Sequence, residues 1–423
     1  MQTKANRWAA ALCAGTLVLS GCMAMPGAGS TFTQSAPALP PVPTDAPTPP
    51  AQSAGPQPDA VEQLLRSMTL HEQICQLFFV RPDALDPTQT PEQVQDADAP
   101  GVCAVDDAMR ETMRATPVGG VVLFGKNLRD EEALAALVRD LQDAAPTPLL
   151  LAVDEEGGSV ARLANHKGFA LPQFADAAVL AQQGGEDAVQ HAAQIIGGYL
   201  YERGILLNFA PVADVDTNPQ NPVIGKRAYA SDADAASRMV AAAVQGYRQS
   251  GVLCTLKHFP GHGDTAQDSH TGAATTARSY AEMQQCELLP FAAGMAAGAQ
   301  LVMAAHIATP NAGTGDTPAS LSSTWLTDRL RGEMGFEGVI ATDSLAMQAI
   351  TDRWSSGEAA VLALQAGADL LLMPQDLPAA VQGVEQAVQN GTLTPQRIEQ
   401  SARRILQLKQ QCGLLEQAGI PAP

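Results

Sequence analysis

Val252-Leu253-Cys254-Thr255-Leu256, followed without a break by Lys257-His258-Phe259-Pro260-Gly261-His262-Gly263-Asp264-Thr265-Ala266-Gln267-Asp268-Ser269-His270, is the stretch that decides the fold. The apolar run reads as a buried strand of a sheet covered on both faces. The fourteen residues after it hold three histidines, two aspartates and a lysine. Such groups do not serve packing, because each costs free energy if buried unpaired. Pro260, Gly261 and Gly263 mark irregular chain rather than a continuing element. The reading is a catalytic loop leaving the end of a strand; the alternative is a solvated polar loop.

Working outward, seven more apolar runs have the same character: Leu77–Val80, Gly119–Phe124, Pro148–Val153, Ile205–Ala210, Leu301–Ala305, Gly338–Thr342 and Asp369–Met373. Alanine-rich helical stretches at 176–203, 232–250, 280–298, 322–334 and 356–367 separate most of them, and Val61–Gln76 carries helical periodicity ahead of the first. Eight strands alternating with helices predict an α/β fold of a single (β/α)8 TIM-type barrel over residues 58–415. An open doubly wound sheet is the runner-up, disfavoured because no Gly-x-Gly-x-x-Gly turn follows the first strand.

The polar residues that follow these runs sharpen the expectation. Asp154-Glu155-Glu156 follows the third, Asp214 and Asp216 the fourth, Lys257-His258 the fifth, His306 the sixth and Asp343 the seventh. A barrel opens the carboxyl ends of all its strands onto one face, so these residues converge on one pocket.

The chain begins with Lys4 and Arg7, an apolar segment from Trp8 to Leu19, and Ser20-Gly21-Cys22. This predicts a signal peptide over 1–21, too short for a membrane span. Leu19-Ser20-Gly21-Cys22 also resembles a bacterial lipobox, in which Cys22 takes lipid and holds the protein on a membrane. Residues 22–57, rich in Pro, Ala, Ser and Thr, bury little apolar surface and read as a disordered tether. With 25 basic and 44 acidic side chains the net charge is −19, which argues against a nucleic-acid partner. Cys75, Cys103, Cys254, Cys286 and Cys412 form neither a disulfide framework nor a C-x-x-C zinc pattern.

Asp343, directly after an apolar run, is either a site carboxylate or the N-cap of the next helix. Asp268 and His270 stand two apart in the loop. That spacing lets a carboxylate orient an imidazole and raise its pKa, making an acid–base group near neutral pH. Metal binding by His258, His262, Asp264 and His270 is a rival, but no helical His-x-x-x-His spacing supports it; neither metal nor cofactor is expected.

Asp154-Glu155-Glu156-Gly157-Gly158, Asn221-Pro222-Val223-Ile224-Gly225-Lys226-Arg227, Lys257 through Asp264, Asp268-Ser269-His270 and Thr342-Asp343 resemble glycoside hydrolase family 3, in its β-N-acetylglucosaminidase branch. The resemblance runs from about residue 60 to 410. It implies a retaining double displacement with Asp343 as nucleophile, His270 as acid/base and Asp268 orienting it. It also implies that Asp154, Arg227, Lys257 and His258 hold the sugar hydroxyls. His262, Asp264 and Thr265 are expected to shape the loop, His306 to be structural or pocket wall, and Glu287 and Asp369 to be structural. Ser159 stands where the family often has Arg, with Arg162 three residues on. The expected activity is exo-hydrolysis of N-acetylglucosamine-containing glycans by an enzyme lipid-anchored outside a bacterial membrane. The alternatives are a phosphorylase of the same family and a non-catalytic sugar-binding lipoprotein.

Overall fold

The computed structural model describes residues 60–268, 272 and 274–417; Cys22 and His270 lie outside the described residues. Eight parallel strands form the centre: β1 (Phe78–Val80), β2 (Gly120–Leu123), β3 (Leu150–Val153), β4 (Leu207–Asn208), β5 (Leu253–Phe259), β6 (Leu301–Ala304), β7 (Val339–Thr342) and β8 (Leu371–Leu372). Each is buried along its whole length, which is why the sequence shows unbroken apolar runs rather than alternation.

Each strand pairs with the next in chain order from β1 to β7, and Phe78 pairs with Leu371 to join β1 to β8. The remaining seam, β7 to β8, is a single parallel bridge, Ala341–Leu370, backed by Thr342 N–H donating to Leu370 O at 3.0 Å. The result is a nearly closed eight-stranded parallel barrel, as the alternation of elements predicts.

Helices sheath it: α1 (Ala60–Ser67), α2 (Leu70–Gln76), α3 (Glu131–Ala144), α4 (Ala177–Glu202), α5 (Ala233–Ser250), α6 (Leu288–Ala296), α7 (Ser356–Ala366), α8 (Leu377–Gln389) and α9 (Pro395–Gln411). Three stretches expected as single helices are broken; in α4 the break is at Gly185, whose backbone (φ 60°, ψ −153°) is not helical. Val61–Gln76 divides at Thr69, whose hydroxyl accepts from Glu72 N–H while the Glu72 carboxylate accepts from Thr69 N–H. This capping box starts a second helix and ends the first. The 280–298 stretch divides into Tyr280–Gln284 and α6. The 322–334 stretch winds as a π-helix over Thr324–Glu333, with Trp325 buried. Helices α1, α2 and α9 pack together near the amino end of β1, where Arg403 pairs with Glu62 at 2.5 Å.

Asp369, at the entrance to β8, lies at the same amino end. Arg331, Arg404, Arg397 and the Ser401 hydroxyl converge on its buried carboxylate. It is a structural hub, as expected.

Candidate active site

Every strand run with a polar end delivers it to the carboxyl end of the barrel, where a cavity of about 810 Å³ opens. Asp154, Glu156, Arg162, Arg227, Lys257, His258 and Asp343 all line it. Strand β5 ends in a register irregularity between Lys257 and Phe259. A bulge of this kind re-aims side chains, and here the consecutive Lys257 and His258 both face the cavity.

Directly after β3, Asp154 and Glu156 face the cavity while Glu155 turns the other way. Glu155 is buried and accepts from Leu163 N–H, Ala164 N–H and the Tyr199 hydroxyl at 2.8–2.9 Å. Burial pushes its carboxyl up, against those donors. The sequence reading placed Glu156 at this strand end but gave it no role of its own. Arg227 donates to both of its oxygens, at 2.9 and 2.7 Å, and Lys257 Nζ lies 2.7 Å away. Burial resists its ionisation, but Lys257 and Arg227 outweigh this and hold it far below the usual carboxylate range. The same two-residue spacing that put Asp154 at the strand end carried the signal.

Lys257 Nζ also donates to Asp154 Oδ1 at 2.7 Å. Burial lowers the Lys257 pKa, and Asp154 and Glu156 together overcome it, so the ammonium stays charged. Arg162 Nη2 approaches the other Asp154 oxygen at 3.8 Å, so the residue three beyond Ser159 reaches the wall.

His258 is held from behind. Its Nδ1 lies 2.7 Å from Asp214 Oδ2, and Asp214 also accepts from His258 N–H and from His262 N–H, the latter at 2.6 Å. Burial opposes ionisation of Asp214, yet the His258 ring and these hydrogen bonds keep its pKa low. An ionised Asp214 places the proton on His258 Nδ1. Nε2, 3.4 Å from Arg227 Nη2, is then left as an acceptor toward the cavity.

Asp343 follows β7, and its Oδ1 accepts from Ser344 N–H at 2.7 Å. The next helix is Gln348–Thr351, capped at Met347, so Asp343 is not its N-cap. His306 is buried between the Ser320 hydroxyl, 2.7 Å from Nδ1, and the Ser344 carbonyl, 2.8 Å from Nε2. It braces the turn that carries Asp343 and does not line the cavity.

The loop after β5 is pinned at its root. Gly261 (φ 130°) sits against Glu287, and a Cβ on Gly263 would fall 1.8 Å from Val215 O. Asn221 donates to His262 O and Thr265 O, and Thr276 to Asp264, which also faces Arg278 at 3.2 Å. His262, Asp264 and Thr265 are thus loop scaffold. Glu287, buried beside Arg278 at 3.2 Å, packs under the same root. The described members of the rival metal set, His258, His262 and Asp264, each turn to a different hydrogen-bond partner.

Carboxylates and forked cations gathered at the mouth of a parallel barrel define an enzyme built around a polyhydroxylated ligand. Residues 69–408 match the model of the glycosyl hydrolase family 3 N-terminal domain. The chain belongs to that family and is a glycoside hydrolase. A protein of Tolumonas auensis named β-hexosaminidase is 37% identical over 280 residues, covering 66% of this chain and 82% of its own. A family 3 β-N-acetylglucosaminidase structure from Paenibacillus sp. FPU-7 superimposes with a TM-score of 0.74 at 36% identity. That alignment covers 82% of this chain and 63% of that one, so this chain spans less than two thirds of the Paenibacillus protein. A β-N-acetylhexosaminidase structure from Beutenbergia cavernae gives a TM-score of 0.70 at 30% identity, over 81% of this chain and 99% of that one.

Proposed function

We propose that the chain is a retaining exo-β-N-acetylglucosaminidase that removes terminal N-acetylhexosamine from cell-wall glycans. The observation that carries this reading is the single cavity shared by Asp343 and the Asp154–Glu156–Arg227–Lys257–His258 network. In the first step an Asp343 oxygen attacks the anomeric carbon. The C1–O bond breaks toward the leaving oxygen, which takes a proton from His270. In the second step His270 takes a proton from water, whose oxygen attacks C1 and releases Asp343. Asp268 orients His270; Asp154, Arg227, Lys257 and His258 hold hydroxyls, and Glu156 keeps the cations in place.

Product analysis on an aryl β-N-acetylglucosaminide, with and without phosphate and beside the aryl β-glucoside, tests the reading. Free N-acetylglucosamine in both buffers, with the glucoside much slower, is expected. N-acetylglucosamine 1-phosphate would instead make the enzyme a phosphorylase, and no cleavage would leave a binding protein. Asp343→Asn is expected to lower turnover by roughly 10⁴-fold or more and to abolish labelling by a 2-fluoro glycosyl inhibitor. His270→Ala should slow poor leaving groups far more than activated aryl glycosides.

The same reading places the enzyme outside a bacterial membrane, held by lipid on Cys22 through the 22–57 tether. The lipobox-like Leu19-Ser20-Gly21-Cys22 supports this. Cys22→Ser should move the activity from the membrane fraction to the soluble one.

A further inference from the structure

The limb of chain that leaves β5 and bears Asp268 is not held by a sheet. From Pro260 to Asp268 the described residues form no strand, and side-chain contacts fix the limb instead. The limb that follows is anchored through its backbone. Ala274 and Thr275 pair in parallel with Ile307 and Ala308, just beyond β6, and Thr276 N–H donates to Ala308 O at 3.1 Å. Asn311 Nδ2 donates to Ala277 O at 2.7 Å.

One carboxylate joins the two limbs. Asp264 Oδ2 accepts from the Thr276 hydroxyl, 12 positions on, at 2.7 Å, and Asp264 Oδ1 lies 3.2 Å from Arg278 Nε. The Thr276 hydroxyl also accepts from Arg278 N–H at 3.2 Å. Contacts to both oxygens of one carboxylate fix its orientation as well as its position. Arg278 Nε lies equally close, 3.2 Å, to Glu287 Oε1, at the entrance to α6. Glu287 in turn is buried against the first limb: a Cβ on Gly261 would fall 2.7 Å from its own Cβ. Arg278 therefore stands between two carboxylates, one on the first limb and one on the sheath of the barrel. Burial lowers its pKa, but Glu287 and Asp264 overcome this and raise it. Burial pushes the Glu287 carboxyl up, and Arg278 is the cation that opposes this.

Arg278, Asp264, Thr276 and Glu287 do not line the cavity, so their charges and donors are spent on the chain and not on a ligand. What they join is the segment that bears Asp268, four residues past Asp264, and His270, six residues before Thr276. We propose that Arg278 is a positioning residue for the acid–base step. It clasps the limb ending in Asp268 to the limb after it through Asp264, and seats both on α6 through Glu287. The inference rests on the reading of Asp268 and His270 as the acid–base pair. A shift of a reacting group by about 1 Å costs on the order of 100-fold in rate, so a clasp this close to the pair governs its efficiency.

The leaving-group dependence of kcat/KM tests it, on aryl β-N-acetylglucosaminides running from the 2,4-dinitrophenyl to the phenyl glycoside. Phenoxide needs a proton to leave, whereas dinitrophenolate leaves without one. Arg278→Gln is expected to lower kcat/KM on the phenyl glycoside about 10-fold or more, and on the dinitrophenyl glycoside by less than about 3-fold. Arg278→Lys, which keeps a cation between the carboxylates, should recover part of the loss. Thr276→Val removes the hydroxyl from Asp264 without disturbing a charge; it should tilt the series the same way and decides the matter where Arg278→Gln folds poorly. Equal losses on both glycosides overturn the proposal, because a merely structural role lowers both alike; no loss on either overturns it too. His270→Ala, measured alongside, separates the two readings. A tilt in His270→Ala without one in the clasp variants rejects the clasp alone. A tilt in the clasp variants without one in His270→Ala rejects the assignment of His270 alone.

Discussion

Asp214 touches no ligand position directly, yet three hydrogen bonds from His258 and His262 end on its buried carboxylate. Replacing it with Asn removes the charge that fixes the His258 tautomer while keeping the shape. The expected result for Asp214→Asn is a loss of about 10- to 100-fold in kcat/KM, by analogy with carboxylates that orient metal-ligating histidines. Circular dichroism and a melting curve should show a folded protein; an unchanged kcat/KM would mean the tautomer is fixed by something else. Glu156→Gln is more severe, because it leaves Arg227 and Lys257 sharing Asp154. Breaking a buried ion network in this way costs about 3–5 kcal/mol, read as lost stability, lost sugar affinity, or both. At this scale the sequence was legible where a residue stood at a strand end, as Asp154, Lys257, His258 and Asp343 do. Asp214 and Glu156 were placed at strand ends too, but what they do was not legible, because it is defined by partners 44 and 71 positions away.

The elements were readable to the extent that one periodicity ruled them. Apolar runs located all eight strands, because strands buried on both faces are mostly apolar; β5 continues past its run to Phe259, through Lys257 and His258, which the sequence reading gave to the loop. Helix ends were less clear: periodicity continues through Val61–Gln76, while Thr69-Leu70-His71-Glu72 restarts the backbone. Thr69→Ala is expected to cost about 1 kcal/mol, measured as a lower thermal midpoint with activity kept. The loop after β5 gives a harsher test, since Gly263→Ala drives a Cβ into the Val215 carbonyl. That substitution should lower stability by about 1–3 kcal/mol. It should also lower turnover, because the same loop leads to Asp268 and His270.

Across the whole molecule, neither the way the barrel closes nor what plugs its amino end is visible in a list of strands. Lys409 of α9 is fully buried there, and its Nζ donates to Gln76 Oε1 at 2.6 Å. Burial lowers its pKa to about 7. In the unfolded chain the same ammonium holds its proton up to about pH 10.4. Between these values the unfolded state binds the extra proton, so stability rises with pH from about 7 to about 10 and is flat in this respect below 7. Denaturant melts across that window should show the rise, on the order of a few kcal/mol, and Lys409→Met should flatten it. The segment 81–118 between β1 and β2 was equally hidden: the sequence reading gives it no role, whereas Arg81 and Gln95 line the cavity.

The packing of α1 against α9 also sets a polarity. The described chain starts at the pole where the strands begin, and the cavity opens at the pole where they end. The described chain therefore begins at the blind pole, away from the mouth. A bulky carrier fused directly ahead of Ala60 should leave kcat/KM unaltered.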